Sequence, residues 1–189
     1  MTRTHKLVFI GEPGAGKTTC IAALSQIRPV STDVACTDGL AELKETTTVA
    51  LDYGEMNLAD EGRLLLYGLP GQLRFRYMFD VVREGLLGVV ILVDASRPHA
   101  LTGLEETLAA YGSELRELPC VVALNKHPDP PQVLRCACRD LMRRHELVAP
   151  ILVVDARRRA DVVRIFELLF LLLEHGPQRS ATEEVISWA

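Results

Sequence analysis

Lys6-Leu7-Val8-Phe9-Ile10, then Gly11-Glu12-Pro13-Gly14-Ala15-Gly16-Lys17-Thr18, then Thr19-Cys20-Ile21-Ala22-Ala23-Leu24: an apolar run, a stretch of the form G-x-x-x-x-G-K-T and a segment with helical apolar spacing follow without a break. A strand that feeds a glycine-rich loop into a helix start builds a cradle for phosphate. Loop N–H groups point inward, and the positive end of the helix dipole faces the anion. Lys17 reaches β- and γ-phosphate oxygens, and the Thr18 hydroxyl is placed to ligate Mg²⁺. Glycines are needed because a Cβ would hold the backbone off the oxygens.

Working outward, 189 residues make one domain with room for a core. The composition, 48% hydrophobic and 24% charged, is that of a soluble globule. A net charge of −4 gives no sign of bulk nucleic-acid binding. The cysteines, Cys20, Cys36, Cys120, Cys136 and Cys138, are odd in number and match no zinc spacing, so reduced thiols in a cytoplasmic protein are expected. His5 and Lys6 precede only four apolar residues before Gly11, which is no signal peptide. The apolar run Leu168 to Leu173 is too short to span a bilayer, and lipidation signals are absent from both ends. Any membrane visit is expected through a partner.

Apolar strands alternate with amphipathic helices, which predicts an α/β fold with helices on both faces of a mostly parallel sheet. Strands are predicted at 5–10, 48–57, 63–67, 88–93, 120–124 and 151–154. Helices are predicted at 16–27, 74–85, 99–117, from Pro131 to Arg144, and at 158–175. Asp60-Glu61-Gly62 reads as a hairpin turn, placing 48–57 antiparallel at the sheet edge. The polar stretch 28–46 shows no period and reads as a functional or mobile loop. The expected architecture is a P-loop NTPase: three layers α/β/α, a six-stranded sheet with one antiparallel edge strand, and five helices. Residues 1–176 form the domain and 177–189 a loose tail. The candidate chemical residues follow strand C-termini, the ligand edge of such a sheet.

Thr48-Val49-Ala50-Leu51-Asp52-Tyr53 and Leu66-Tyr67-Gly68-Leu69-Pro70-Gly71-Gln72-Leu73-Arg74-Phe75 resemble the switch I and switch II stretches of small Ras-like GTPases. The P-G-Q-x-R-F form is similar to bacterial gliding-motility (MglA-like) members found beside roadblock-fold partners. The resemblance covers residues 5 to about 175. It implies GTP or GDP with Mg²⁺ held by Glu12, Pro13, Gly14, Ala15, Gly16, Lys17, Thr18, Thr19, Thr48, Gly71, Asn125, Lys126, Asp129 and Ala156. Thr18 and Thr48 would ligate the metal, with Thr46 and Thr47 as stand-ins for Thr48. The N–H of Gly71 would sense the γ-phosphate. Lys17 and Gln72 would be catalytic, Gln72 by orienting the attacking water.

Two departures matter. Gly68 stands where the superfamily carries an aspartate that holds Mg²⁺ through water. Asp94 is the best substitute, against an equally weighted reading as a turn or capping aspartate before Ser96. The guanine-reading N-K-x-D is here Asn125-Lys126-His127-Pro128-Asp129, with the acid one residue late. Asp129 either still reaches the base or points away, and guanine selectivity falls in the second case. Asp155-Ala156-Arg157 stands where the family has S-A-K, its Ala156 N–H meeting the guanine O6.

The function so implied is a slow GTPase acting as a molecular switch in bacterial signalling or polarity. A roadblock-type regulator or a GAP- or GEF-like protein would engage the two switches; nucleic acid is not expected as a partner. Phe75-Arg76-Tyr77-Met78-Phe79 is rich in hot-spot residues, although helical spacing sends part of it into the core. No arginine is clearly placed as a finger. The alternatives are a non-catalytic nucleotide-dependent binding module and a P-loop ATPase or small-molecule kinase.

Overall fold

The computed structural model describes residues 4–34, 49–58 and 62–175. Thr46, Thr47, Thr48, the turn residues Asp60 and Glu61, and the tail 177–189 lie outside them.

The chain runs β1 (Thr4–Gly11), α1 (Lys17–Leu24), β2 (Val30–Val34), β3 (Val49–Asn57), β4 (Arg63–Pro70), a 3₁₀ turn (Leu73–Phe75), α2 (Tyr77–Val82), β5 (Leu86–Asp94), α3 (Ala100–Arg116), β6 (Cys120–Asn125), α4 (Gln132–Arg144), β7 (Ile151–Val154) and α5 (Arg159–His175). One sheet holds the strands in the order β2-β3-β4-β1-β5-β6-β7. The three layers, the five α-helices and the mostly parallel sheet match the sequence-based expectation.

One strand more than predicted is present. Val30–Val34 pairs antiparallel with β3, which makes the sheet seven-stranded and moves β3 one place in from the edge. Val30, Thr32 and Val34 are the β-branched alternation of a strand; Pro29 and Asp33 obscured it. An edge strand tolerates a proline at its start. Helix α1 ends three residues early, at Leu24. Ser25 adopts an extended conformation, and its hydroxyl accepts the N–H groups of Ile27 and Glu55, so it docks the chain onto β3 instead of extending the helix. The predicted helix 74–85 is a 3₁₀ turn followed by the short α2.

The faces are separately cored. Helices α2, α3 and α4 bring Phe79, Leu104, Leu108, Tyr111 and Leu141 onto Val8, Ile10, Val89 and Ile91. Helices α1 and α5 bring Ile21, Leu24, Ile165 and Leu169 onto Leu7, Phe9, Val90 and Leu92. Each of these apolar side chains is nearly or fully buried, contributing about 1.5–3 kcal/mol. Alternate residues of β1 serve opposite cores, which is why β1 and β5 read as unbroken apolar runs.

Candidate functional site: a phosphate loop between two strand ends

Strand β1 delivers Gly11 to the sheet's C-terminal edge, and α1 starts at Lys17. The turn between them needs Gly14 at φ +80° and Gly16 at φ +111°, angles that L side chains rarely adopt. The Ala15 N–H donates to the Glu12 carbonyl at 3.1 Å. The Lys17 ammonium donates to the carbonyls of Gly11 and Glu12, each at 2.9 Å, and so lies along the loop. Burial pushes this ammonium down to about 8, and the charges of Asp52 and Glu12 act against that shift. Pro13, Gly14, Thr18 and Thr19 are exposed at the loop's mouth. The Glu12 carboxylate turns away from the mouth, towards Arg97 at 3.7 Å, in space left by the missing side chain of Gly103 on α3.

The Thr18 hydroxyl donates to Oδ2 of Asp52 at 2.6 Å. Asp52 lies on β3, is 9% exposed and pairs in register with Gly68 on β4. A β-carbon on Gly68 would sit 2.9 Å from the Asp52 β-carbon and 3.0 Å from its Oδ2. A carboxylate therefore occupies the place beside Thr18, and it comes from the neighbouring strand. Sequence reasoning missed Asp52, and Asp94 is not the substitute. Asp94 accepts from Ser96 (hydroxyl 2.6 Å, N–H 3.2 Å) and pairs with Lys126 at 2.8 Å and Arg97 at 3.2 Å. Burial raises the Asp94 carboxyl, and these bonds outweigh that to hold it below the usual carboxylate range. It is a turn residue that also anchors Lys126.

Mg²⁺ takes oxygen ligands and keeps waters and phosphate oxygens in its shell, so one or two protein groups suffice. Thr18 would supply one oxygen. Donating its hydrogen bond to Asp52 would leave its lone pairs for a cation. Among the described residues no group of three or more His, Cys, Asp or Glu cages an ion. The donor set fits the Mg²⁺ of a triphosphate, and Thr48, its second expected ligand, lies outside the described residues.

Asn125 ends β6 and joins two loops: its Nδ2 donates to Ala15 O at 2.8 Å and its Oδ1 accepts the Ala156 N–H at 3.0 Å. Both bonds are buried, so Ala156 N–H is committed within the protein. Lys126 takes φ +69° and is held by Asp94. Asp129 is not gathered with them. Its side chain is 92% exposed and paired with Arg135 at 2.6 Å, the outward case of the two left open. Asp155 is held by Arg157, whose hydrogen bonds lower its carboxyl to about 2.

At the end of β4, the Gly71 N–H donates to Gly11 O at 3.1 Å, and the Tyr111 hydroxyl holds Pro70 O at 2.9 Å. In this arrangement Gly71 N–H is turned into the phosphate loop's own backbone. Gln72 is half-buried and accepts from Arg74 Nε at 3.2 Å. Phe75, Met78 and Phe79 are core residues, which leaves Leu73 and Val81 as exposed apolar groups of this region.

Uncharacterized protein MJ1339 of Methanocaldococcus jannaschii is 31% identical over 121 residues, covering 64% of this chain and 69% of that protein. The chain belongs to the MJ1339 family. Residues 37–129 also match the model of a family described as conserved hypothetical ATP binding protein. GTPase Obg of Deinococcus radiodurans is 29% identical over 175 residues, and that of Synechocystis sp. 33% over 122. This MJ1339-family chain spans only 38% and 32% of those two proteins. Among solved structures, the cytosolic domain of the T. maritima FeoB iron transporter in its apo form aligns over 94% of this chain and 67% of its own, at TM-score 0.57 and 13% identity. The bacterial selenocysteine-specific elongation factor EF-Sec aligns over 92% and 29%, at TM-score 0.57 and 17% identity. The fold is that of P-loop GTPases. The likenesses support a place in that superfamily for the MJ1339 family, without reaching the gliding-motility subgroup.

Proposed function

We propose that this protein binds GTP and GDP with Mg²⁺, hydrolyses GTP slowly and works as a nucleotide-dependent switch in the bacterial cytoplasm. The observation that carries this reading is Asn125. One side chain ties the phosphate loop at Ala15 to the loop at Ala156, linking a phosphate-binding end to the end where a base would lie. A phosphate-only site has no use for that link. The Obg likeness favours guanine.

In this reading Lys17 trades its two loop carbonyls for β- and γ-phosphate oxygens and spreads their charge. Gln72 leaves Arg74 to orient water. Mg²⁺, held by Thr18 and Thr48, would supply further charge neutralisation when bound. Gly71 N–H changes partner from Gly11 O to the γ-phosphate, which couples nucleotide state to the 70–80 segment. Exposed Leu73 and Arg74 beside it suit a protein regulator, of roadblock type if the P-G-Q-x-R-F likeness extends to partners.

An adenine nucleotide is the second reading, favoured by the outward Asp129 and the ATP-binding family match. Mass spectrometry of nucleotide released from purified protein, with GDP and ADP isotherms, decides between them. Phosphate release should fall at least tenfold in Lys17→Ala and Gln72→Ala. No heat from GTP, GDP or ATP with magnesium would end the proposal.

A further inference from the structure

Gly68 and Asp52 form one pair seen from two strands. They face each other in register across β3 and β4, and on the same side Ile21 of α1 closes over them, 3.3 Å from where a Gly68 β-carbon would be. The strand that would ordinarily carry a side chain here carries none, and the carboxylate from opposite stands over the gap. Its Oδ2 accepts the hydrogen bond of the Thr18 hydroxyl at 2.6 Å. A buried carboxylate that served only packing would be replaceable by an apolar group at little cost. One that accepts the hydroxyl of Thr18, the phosphate-loop side chain suited to a metal, is better explained by that chemistry.

We infer that Asp52 is the positioning carboxylate of the divalent-cation site, transferred to β3 from the position that Gly68 leaves empty. The inference rests on the nucleotide-binding reading above and names a residue of that same site. Asp52 orients the Thr18 hydroxyl as a ligand and presents an oxygen to a water of the cation's shell. Gly68 is small because the Asp52 side chain fills the space in front of it.

The test uses the full chain, Mn²⁺ as an electron paramagnetic resonance probe, and a fluorescent GDP analogue whose release is timed in EDTA and in Mg²⁺. Asp52→Asn keeps an acceptor for Thr18 and removes the charge. It should weaken Mn²⁺ binding in the GDP complex at least tenfold and speed GDP release in Mg²⁺, while release in EDTA stays within about threefold. Because a buried change can also unfold a protein, a second variant moves the group back. In Asp52→Gly with Gly68→Asp, the clash between the two β-carbons is gone and only the Ile21 methyl must give way. This variant should recover Mn²⁺ affinity to within about threefold of the starting chain. Unchanged Mn²⁺ affinity in Asp52→Asn, or a relocated carboxylate that recovers nothing in a folded chain, overturns the inference while leaving nucleotide binding intact. A starting chain that binds no nucleotide in EDTA or Mg²⁺ overturns the underlying reading instead.

Discussion

The backbone N–H of Gly71 donates to the carbonyl of Gly11 across 3.1 Å, and a β-carbon on Gly71 would collide with the hydroxyl of Thr107 on α3. Thr107 is buried and its hydroxyl donates to Gly103 O at 2.8 Å, so it cannot swing aside freely. Gly71→Ala should therefore cost about 1–3 kcal/mol by overpacking. Adding Thr107→Ala should return most of that loss in urea melts. Equal losses with and without Thr107 would show that the collision is not the cause.

Asn125→Ala strips Ala15 O and Ala156 N–H of their buried partners. Two orphaned groups predict a loss of about 2–4 kcal/mol. Asn125→Asp keeps the acceptor for Ala156 N–H but sets a carboxylate oxygen against Ala15 O in a buried place, and should lose at least as much. Chemical denaturation of both variants checks the order; an alanine loss below about 1 kcal/mol contradicts it.

Arg76 pins the start of α2 to Glu114 on α3, its Nε 3.0 Å from the carboxylate. Burial raises the Glu114 carboxyl, but bonds from Ser113 and Arg76 hold it below its usual value. A depressed carboxyl stabilises the fold above its unfolded value, about 4.3, and that contribution disappears as pH falls through the lower folded value. Arg76→Gln should lower the thermal midpoint by a few degrees at pH 7. The gap to the unaltered chain should shrink below about pH 4. A gap independent of pH would remove the ion pair as its origin.

Asp129 faces solvent beside Arg135. Asp129→Ala should leave the thermal midpoint within about 2 °C and the GDP-to-ADP affinity ratio within about threefold. A tenfold fall in that ratio would mean that the loop swings Asp129 onto the base when nucleotide binds.

Burial pushes the thiols of Cys20 and Cys120 up to about 12 and that of Cys138 up to about 11, while Cys136 is exposed. In a Cys36→Ser background, a thiol reagent at pH 8 should modify Cys136 rapidly and the other three only on unfolding. Peptide mapping reads the result; early labelling of Cys20 would mean that α1 opens readily.

The phosphate loop and the layered sheet were legible because both are local signals: a fixed motif between a strand and a helix, and apolar runs long enough to be buried on both faces. Asp52 was missed although the hairpin contained it. Pairing Asn57 with Arg63 and counting back along both strands sets Asp52 against Gly68, a step that needs the register and not only the strands. Asp129 shows the opposite limit. Spacing left both directions open for it, and Arg135 in the first turn of α4 holds the carboxylate outward. The strand Val30–Val34 was hidden because its β-branched alternation, Val30, Thr32 and Val34, is only five residues long and is set among the loop-favouring Pro29 and Asp33.

The connection between β3 and β4 acts as a ruler. Deleting one of its residues would slide Leu51 or Tyr53 opposite Gly68, because neighbours along a strand face opposite ways. Asp52 would then leave the side where Ile21, Leu64 and Leu66 pack and join the side of Leu51 and Tyr67. Whether this chain has an acid beside Thr18 is thus encoded in the number of residues between β3 and β4. Natural variants in the length of that connection would alter ion handling with every residue around the phosphate loop unchanged.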